Sequence, residues 1–265
     1  VFDSLKCYFN DEKDVCSLEL IEKGHKSPFF GKVYILNSKM LFYYYKKRFL
    51  NINKDFLEVS RLKEFSTYLL ENFNDLNINE YEIQYRLNKI FYYKDFFVDL
   101  FKKINNKYLF IDIYYFDKSM AAILAAKALN IKVCEMQHGN QGPETVGHGR
   151  WGCIPIEGYD LMPNLFWTWD EQSFNNIESW TKKTTTHNVI LGGNPFLAYL
   201  NDYNIATTIE TKKNYILFTM QALTIEEKEF FEKFIHGLIK EDKTISWTFR
   251  LHPLYIKTQK KWLED

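Results

Sequence analysis

Cysteine is scarce in this chain, neither charge is in surplus and no apolar run is long, and each shortage removes a class of protein. The four cysteines, Cys7, Cys16, Cys134 and Cys153, form no CxxC pair and no Cys/His ligand spacing. That pattern offers no metal site and fits a reducing, cytoplasmic setting. With 34 basic and 34 acidic residues, net charge gives no reason to expect nucleic acid or an anionic membrane as partner. No stretch approaches the roughly 20 apolar residues of a bilayer span, and no signal-peptide pattern opens the chain. Peripheral attachment at the inner face of a membrane stays compatible with the sequence. Neither a GxxxxGK[ST] nor a GxGxxG pattern occurs. Internal repeats and low-complexity tracts are missing as well.

What is present suits a globular α/β protein. The 265 residues, 46% of them hydrophobic, are enough for one large domain or two smaller ones. Aromatics reach 18% alongside abundant Lys, Asn and Ile, which AT-rich coding explains more simply than a functional aromatic surface.

The first third is the least informative. Residues 33–45 (VYILNSKMLFYYY) could supply strands, and 55–76 and 79–105 carry apolar residues at helical spacing, as in Phe56, Val59, Leu62, Phe65 and Leu69. From residue 108 the pattern sharpens. YLFIDIYY (108–115) is a continuous apolar run, as expected of a strand covered on both faces. Asp117 stands at a helix N-cap position, and the helix after it puts Met120, Ala121, Leu124, Ala125 and Ala128 on one face. IKVCEM (131–136) reads as a second strand, making a βαβ unit with parallel strands. LFWTW (165–169) is a further strand, Asp170 a cap, 171–181 a helix and HNVILGGNP (187–195) a strand ending in a turn. NYILFTM (214–220), a long helix over 224–241 and ISWTFRL (245–251) begin a second set. The expected architecture is two Rossmann-like halves, joined between about 165 and 213 and divided as 1–164 and 165–265. Few residues follow Pro253, so the second half reads as truncated or as leaning on another chain.

Chemistry-bearing residues collect at strand ends. Gln137, His138 and Gly139 lie just past the carboxyl end of a parallel strand, where open α/β sheets bind ligands. The loop they open is rich in glycine (Gly139, Gly142, Gly147, Gly149), which leaves room for a phosphate or sugar. His138 could donate to a phosphate or act as acid or base near neutral pH, and His148, later in the loop, could assist. Asp112, Asp117, Glu135 and Glu144 are the carboxylates near these strand ends, and any could serve as a base; Asp117 could equally be a cap. Burying Glu135 inside its strand would be costly unless it were paired. Gly192-Gly193-Asn194-Pro195 makes a tight turn, by turn chemistry alone or in contact with ligand. Arg250 and His252 end another strand, which Pro253 stops, and the two suit a nucleotide phosphate.

Taken in order, the Asp-capped Ala-rich helix, the QHG loop, the GGNP turn and R-x-HP resemble GT-B glycosyltransferases of bacterial surface polysaccharide assembly (capsule, O-antigen, lipopolysaccharide). Members use CMP-activated sugars, and related polymerases transfer glycerol phosphate from CDP-glycerol. The resemblance covers roughly residues 106–255. It implies a GT-B-like fold whose two halves face a cleft and a metal-independent enzyme with no cofactor. A nucleotide-activated sugar donor and a glycan or lipid-linked glycan acceptor are the implied partners. On that resemblance Arg250, His252, Pro253, Gly193 and Asn194 would hold the donor. His138, Glu135 and Asp117 would be catalytic, and Gln137, Gly139, Glu144 and His148 would form the substrate loop. UDP-sugar 2-epimerases share the layout, but the His-Arg pair expected after the first strand of their second half is replaced here by TMQAL (219–223). A non-catalytic scaffold of a polysaccharide assembly complex is the remaining alternative.

Overall fold

A computed structural model of the chain describes residues 17–19, 33–50, 59–73, 78–149, 151–202, 214–220, 244–253 and 255–264, with a few isolated positions between 229 and 241. The chain divides into two compact units, Val1–Ile205 and Ala206–Asp265.

The first unit is built on parallel strands. Strands β3 (Tyr108–Ile111), β4 (Lys132–Met136), β5 (Leu165–Thr168) and β6 (Asn188–Leu191) form one sheet in that order, all parallel. Helix α4 (Asp117–Ala128) joins β3 to β4, and α5 (Glu171–Thr181) joins β5 to β6. This is the α/β, Rossmann-like class the sequence suggests. The expected division at 164/165 falls inside this sheet, because Cys134 is in register with Leu165 and Met136 with Trp167. Residues 165–191 complete the sheet of β3 and β4, since β4 needs a neighbour on each edge to pair its backbone.

Burial follows position in the sheet. On β4, Val133, Cys134, Glu135 and Met136 are all buried, whereas Tyr108 on the edge strand β3 is exposed. Helix α4 is buried more widely than the single expected face: Ala121, Ala122, Ile123, Ala125 and Ala126 are all inside. Its small side chains let a second helix approach closely. That helix is α3 (Glu80–Ile104), whose Ile90, Tyr93, Phe97 and Phe101 recur every three or four residues and enter the same core. Asn79 caps its start by accepting from the Glu82 N–H at 3.2 Å, and Asn105 ends it in the left-handed region at φ 57°. Phe166, Ile177 and Trp180 close the core on the β5–α5 side. Each such large side chain contributes about 1.5–3 kcal/mol by leaving water.

The opening third departs from expectation. Strands β1 (Ser17–Glu19) and β2 (Val33–Ile35) pair in parallel, but the chain then turns helical as α1 (Asn37–Leu50) where strands were expected. Helix α2 (Leu62–Asn72) is shorter than the expected 55–76, and Val59 precedes it; Phe56 lies outside the described residues. After β6 comes α6 (Pro195–Asp202).

In the second unit β7 (Tyr215–Thr219) and β8 (Ser246–Arg250) pair in parallel, followed by α7 (Ile256–Glu264). Met220 is its buried centre, with Phe218, Ile239, Phe249, Leu251 and Leu263 packed around it. The helix expected over 224–241 falls mostly outside the described residues. Parallel strands in both units are compatible with a GT-B-like fold. Among the described residues, no helix is long and apolar enough to cross a membrane.

Candidate functional site

Because β3 to β6 are parallel, their carboxyl ends share one edge, and the QHG loop, the segment after β3 and the GGNP turn all start there. Gln137 leaves β4 and is buried. Its Oε1 accepts from the Trp169 N–H at 2.6 Å, while its Nε2 donates to the Gly139 carbonyl at 2.8 Å and to Ser173 Oγ at 3.0 Å. The side chain is therefore spent on joining β4 to the start of α5. Asp170 caps that helix by accepting from the Ser173 N–H at 2.8 Å, and this bond holds its carboxyl below the usual carboxylate range.

With Gln137 turned inward, His138, Gly139 and Asn140 stand exposed on the rim. A Cβ added at Gly139 would meet nothing within 4 Å. Asp112, also exposed, directly follows β3, whose Ile111 is in register with Glu135.

Beneath the rim lies a polar pair sealed from solvent. Glu135 is 0% and His148 1% exposed, and Glu135 Oε2 lies 2.9 Å from His148 Nε2. The other carboxylate oxygen accepts from the Tyr114 N–H at 3.3 Å, and Gln141 Nε2 lies 3.2 Å from the same imidazole nitrogen. The rings of Tyr114, Tyr115 and Phe166 stand edge-on around the imidazole. His148 Nδ1 and Gln141 Oε1 have no hydrogen-bond partner among the described residues. The His148 carbonyl accepts from Trp180 Nε1 and Asn176 Nδ2, both at 3.0 Å, and Asn176 also donates to the Gln141 carbonyl at 2.7 Å. Two glycines let the loop fold over this pair. Gly147 has φ +89°, and a Cβ on Gly149 would run into the Pro143 carbonyl oxygen.

The expected site residues therefore separate into groups. Glu135 and His148 come together, buried, with the carboxylate paired as its position in a strand demanded. Asp117 is the first residue of α4, the cap position being Phe116, and its carboxylate takes Arg86 of α3 at 2.8 Å and Lys89 at 3.6 Å. The carboxylate raises the Arg86 guanidinium above its ordinary range. Glu144 is exposed in the loop.

The turn residues do structural work. Gly193 adopts φ +74° and its carbonyl accepts from Trp167 Nε1 at 2.8 Å, while Asn194 Oδ1 accepts from the Phe196 N–H at 2.9 Å, capping α6 with Pro195 at its first position. Both belong to the first unit, whereas Arg250, His252 and Pro253 belong to the second. There Arg250 is exposed at the end of β8. The His252 N–H donates to Oε1 of the buried Gln259 at 2.7 Å, its ring lies 5.3 Å from that of Tyr255, and Pro253 is exposed in the turn.

Sequence reading missed several members of this framework: Arg86, Gln141, Asn176, Trp180 and His187. Asn176 and Trp180 sit four apart on α5, a spacing that marks one helix face. His187 is buried, donating from Nδ1 to the Pro163 carbonyl at 2.7 Å and accepting the Tyr159 N–H at 2.9 Å on Nε2; burial lowers its pKa. Burial also pushes the Cys134 thiol up to about 12, so it is no nucleophile at neutral pH. No group of three His, Cys, Asp or Glu gathers as a metal centre among the described residues.

No protein-family model and no curated protein matches the chain. Among solved structures, it is similar to a UDP-GlcNAc 2-epimerase from Neisseria meningitidis bound to UDP-GlcNAc. The two are 17% identical with a TM-score of 0.42, the match covering 88% of this chain and 61% of that one. It is also similar to S. aureus MnaA, solved with UDP, at 12% identity and a TM-score of 0.43, over 87% of this chain and 57% of that one. The chain thus spans less than two thirds of either structure's length, and likeness at this level fixes no activity.

Proposed function

We propose that the protein is a nucleotide-sugar enzyme, a metal-independent glycosyltransferase that moves a sugar or polyol phosphate from a nucleotide-activated donor, CMP-linked among the candidates, to a bacterial surface glycan. The observation that carries this reading is the carboxyl edge of the first sheet. There an exposed His138 and an open Gly139 stand on a loop held from below by the Glu135–His148 pair.

Each group has a role on this reading. His138 contacts the charge that develops on transfer, and Gly139 leaves space for the reacting group. Glu135 and His148 act by holding the loop, since neither touches solvent. Asp112 and Glu144, the exposed carboxylates of the four candidates, are the groups placed to take a proton from an acceptor hydroxyl. Asp117 is committed to Arg86 and Lys89 and serves to tie α3 to α4. Arg250 and His252, in the second unit, are assigned to the donor phosphate, and a glycan or lipid-linked glycan is the acceptor.

Isothermal titration of the protein with CMP, CDP, UDP and GDP sugars, followed by turnover with and without acceptor, tests the reading. Binding of one nucleotide class and transfer that requires an acceptor are expected. Conversion of a free UDP-sugar without acceptor would make the protein an epimerase, and binding of none would remove both readings.

A further inference from the structure

Helices α2 and α3 of the first unit enclose space that the chemistry at the sheet edge does not use. An open pocket of about 1040 Å³ lies between residues 59–71 and the first turns of α3. That is the top of the range for small-molecule sites, about 300–1,000 Å³, and gives room for an oligosaccharide of a few rings. Its place follows from the fold. Arg86 and Lys89 of α3 hold Asp117 at the start of α4, just after β3 ends, and α3 then runs on to lead into β3. The turns before Arg86 therefore stand past the carboxyl edge, with Tyr81 about 8 Å further along the helix at 1.5 Å per residue.

The lining selects a chemistry. Tyr68 and Tyr81 are 56% and 74% exposed, and Tyr81 lies parallel to Tyr85, ring centroids 6.5 Å apart, so it presents a flat aromatic face. Such faces pack against the C–H side of a sugar ring. Gln84 accepts the Val59 N–H on Oε1 at 2.9 Å, while its Nε2 is buried with no hydrogen-bond partner among the described residues, a donor in the wall still to be satisfied. Three carboxylates, Glu64, Glu71 and Glu80, line the pocket and can accept from hydroxyls. Against them stand Lys63 and Arg61, and Arg61 is spent on Glu64 at 2.7 Å. The balance is acidic, so a phosphate, uronate or sialate would meet like charge there.

We propose that this pocket holds an uncharged stretch of glycan, clear of the reacting edge, with the ring of Tyr81 as its platform and Glu71 and Glu80 as the groups that reject acidic sugars. The proposal rests on the preceding reading for the source of the glycan and adds its chemical class. Its test uses no nucleotide-sugar, so the two can fail separately.

The test is binding of the fluorescently labelled protein to an array of uncharged, uronate-bearing and sialate-bearing oligosaccharides, followed by titration with the strongest binder. Binding confined to uncharged members is expected. Tyr81→Ala should weaken it about tenfold, whereas Tyr81→Phe, which keeps the ring, should stay within about threefold. Gln84→Glu keeps the acceptor for Val59 and removes the amide donor, and should cost about threefold to tenfold. Glu71→Gln combined with Glu80→Gln should admit acidic members that the parent rejects. Tyr81 and Glu71 are exposed, so circular dichroism should be unchanged in their variants. Binding to no member, binding of acidic members by the parent, or an affinity that Tyr81→Ala leaves unchanged overturns the proposal.

Discussion

Gly139 and Gly149 belong to one loop, and their surroundings separate two uses of the same residue. At Gly149 the neighbour is backbone: a methyl group there would collide with the Pro143 carbonyl, and nothing flexible can give way. At Gly139 the space is open. Gly149→Ala should therefore cost about 1–3 kcal/mol in urea unfolding. Gly139→Ala should stay within about 0.5 kcal/mol of the parent. If a substrate approaches there, Gly139→Ala should still weaken its binding; equal losses of stability in the two variants would contradict this division. The richness of the loop in glycine was legible in the sequence. Which glycine closes the loop was not, because that depends on Pro143 lying against Gly149, residues six apart in a stretch that turns back on itself with the Gly149 N–H donating to the Thr145 carbonyl at 3.0 Å. The need for a partner to Glu135 was likewise legible from a carboxylate inside a strand, whereas its identity required the loop to fold back.

Asp170 shows how an element's start was readable and what it contributes. The residue lies two past the end of β5, precedes a helical pattern and accepts from the Ser173 N–H, as its type predicts. Asp170→Ala should destabilise the protein by about 0.5–2 kcal/mol at neutral pH. The carboxyl's pKa is depressed by that bond, so its contribution is fully present above the unfolded-state value near 3.9 and is lost as pH falls through the lower folded-state value. The gap between parent and variant in urea unfolding should therefore close below about pH 4; a gap unchanged at acid pH would show that the carboxylate is not the cap. Local pattern misleads at α1. VYI is the strand the pattern suggests, but LNSKMLFYYY only mimics one: Leu36, Met40 and Tyr43 recur at helical spacing on the side that meets α3, and that packing decides the conformation.

Across the whole molecule, the α/β class and the parallel β3–α4–β4 unit were legible because apolar runs and caps are local signals. The extent of the first sheet was not. LFWTW and NVIL look the same whether they extend one sheet or begin another, and only the pairing of β4 with β5 assigns them to the first unit. That assignment puts the GGNP turn on the same sheet edge as QHG and leaves Arg250 and His252 in the second unit, so the functional reading rests most heavily on His138.

Steady-state kinetics of His138→Ala, with the donor that titration identifies and its acceptor, test that reading most directly. His138 is exposed, so the melting temperature should hold, while kcat should fall by about 100-fold or more if the imidazole acts on the reacting group. A kcat within about twofold of the parent would contradict the account and leave the QHG loop without a chemical role.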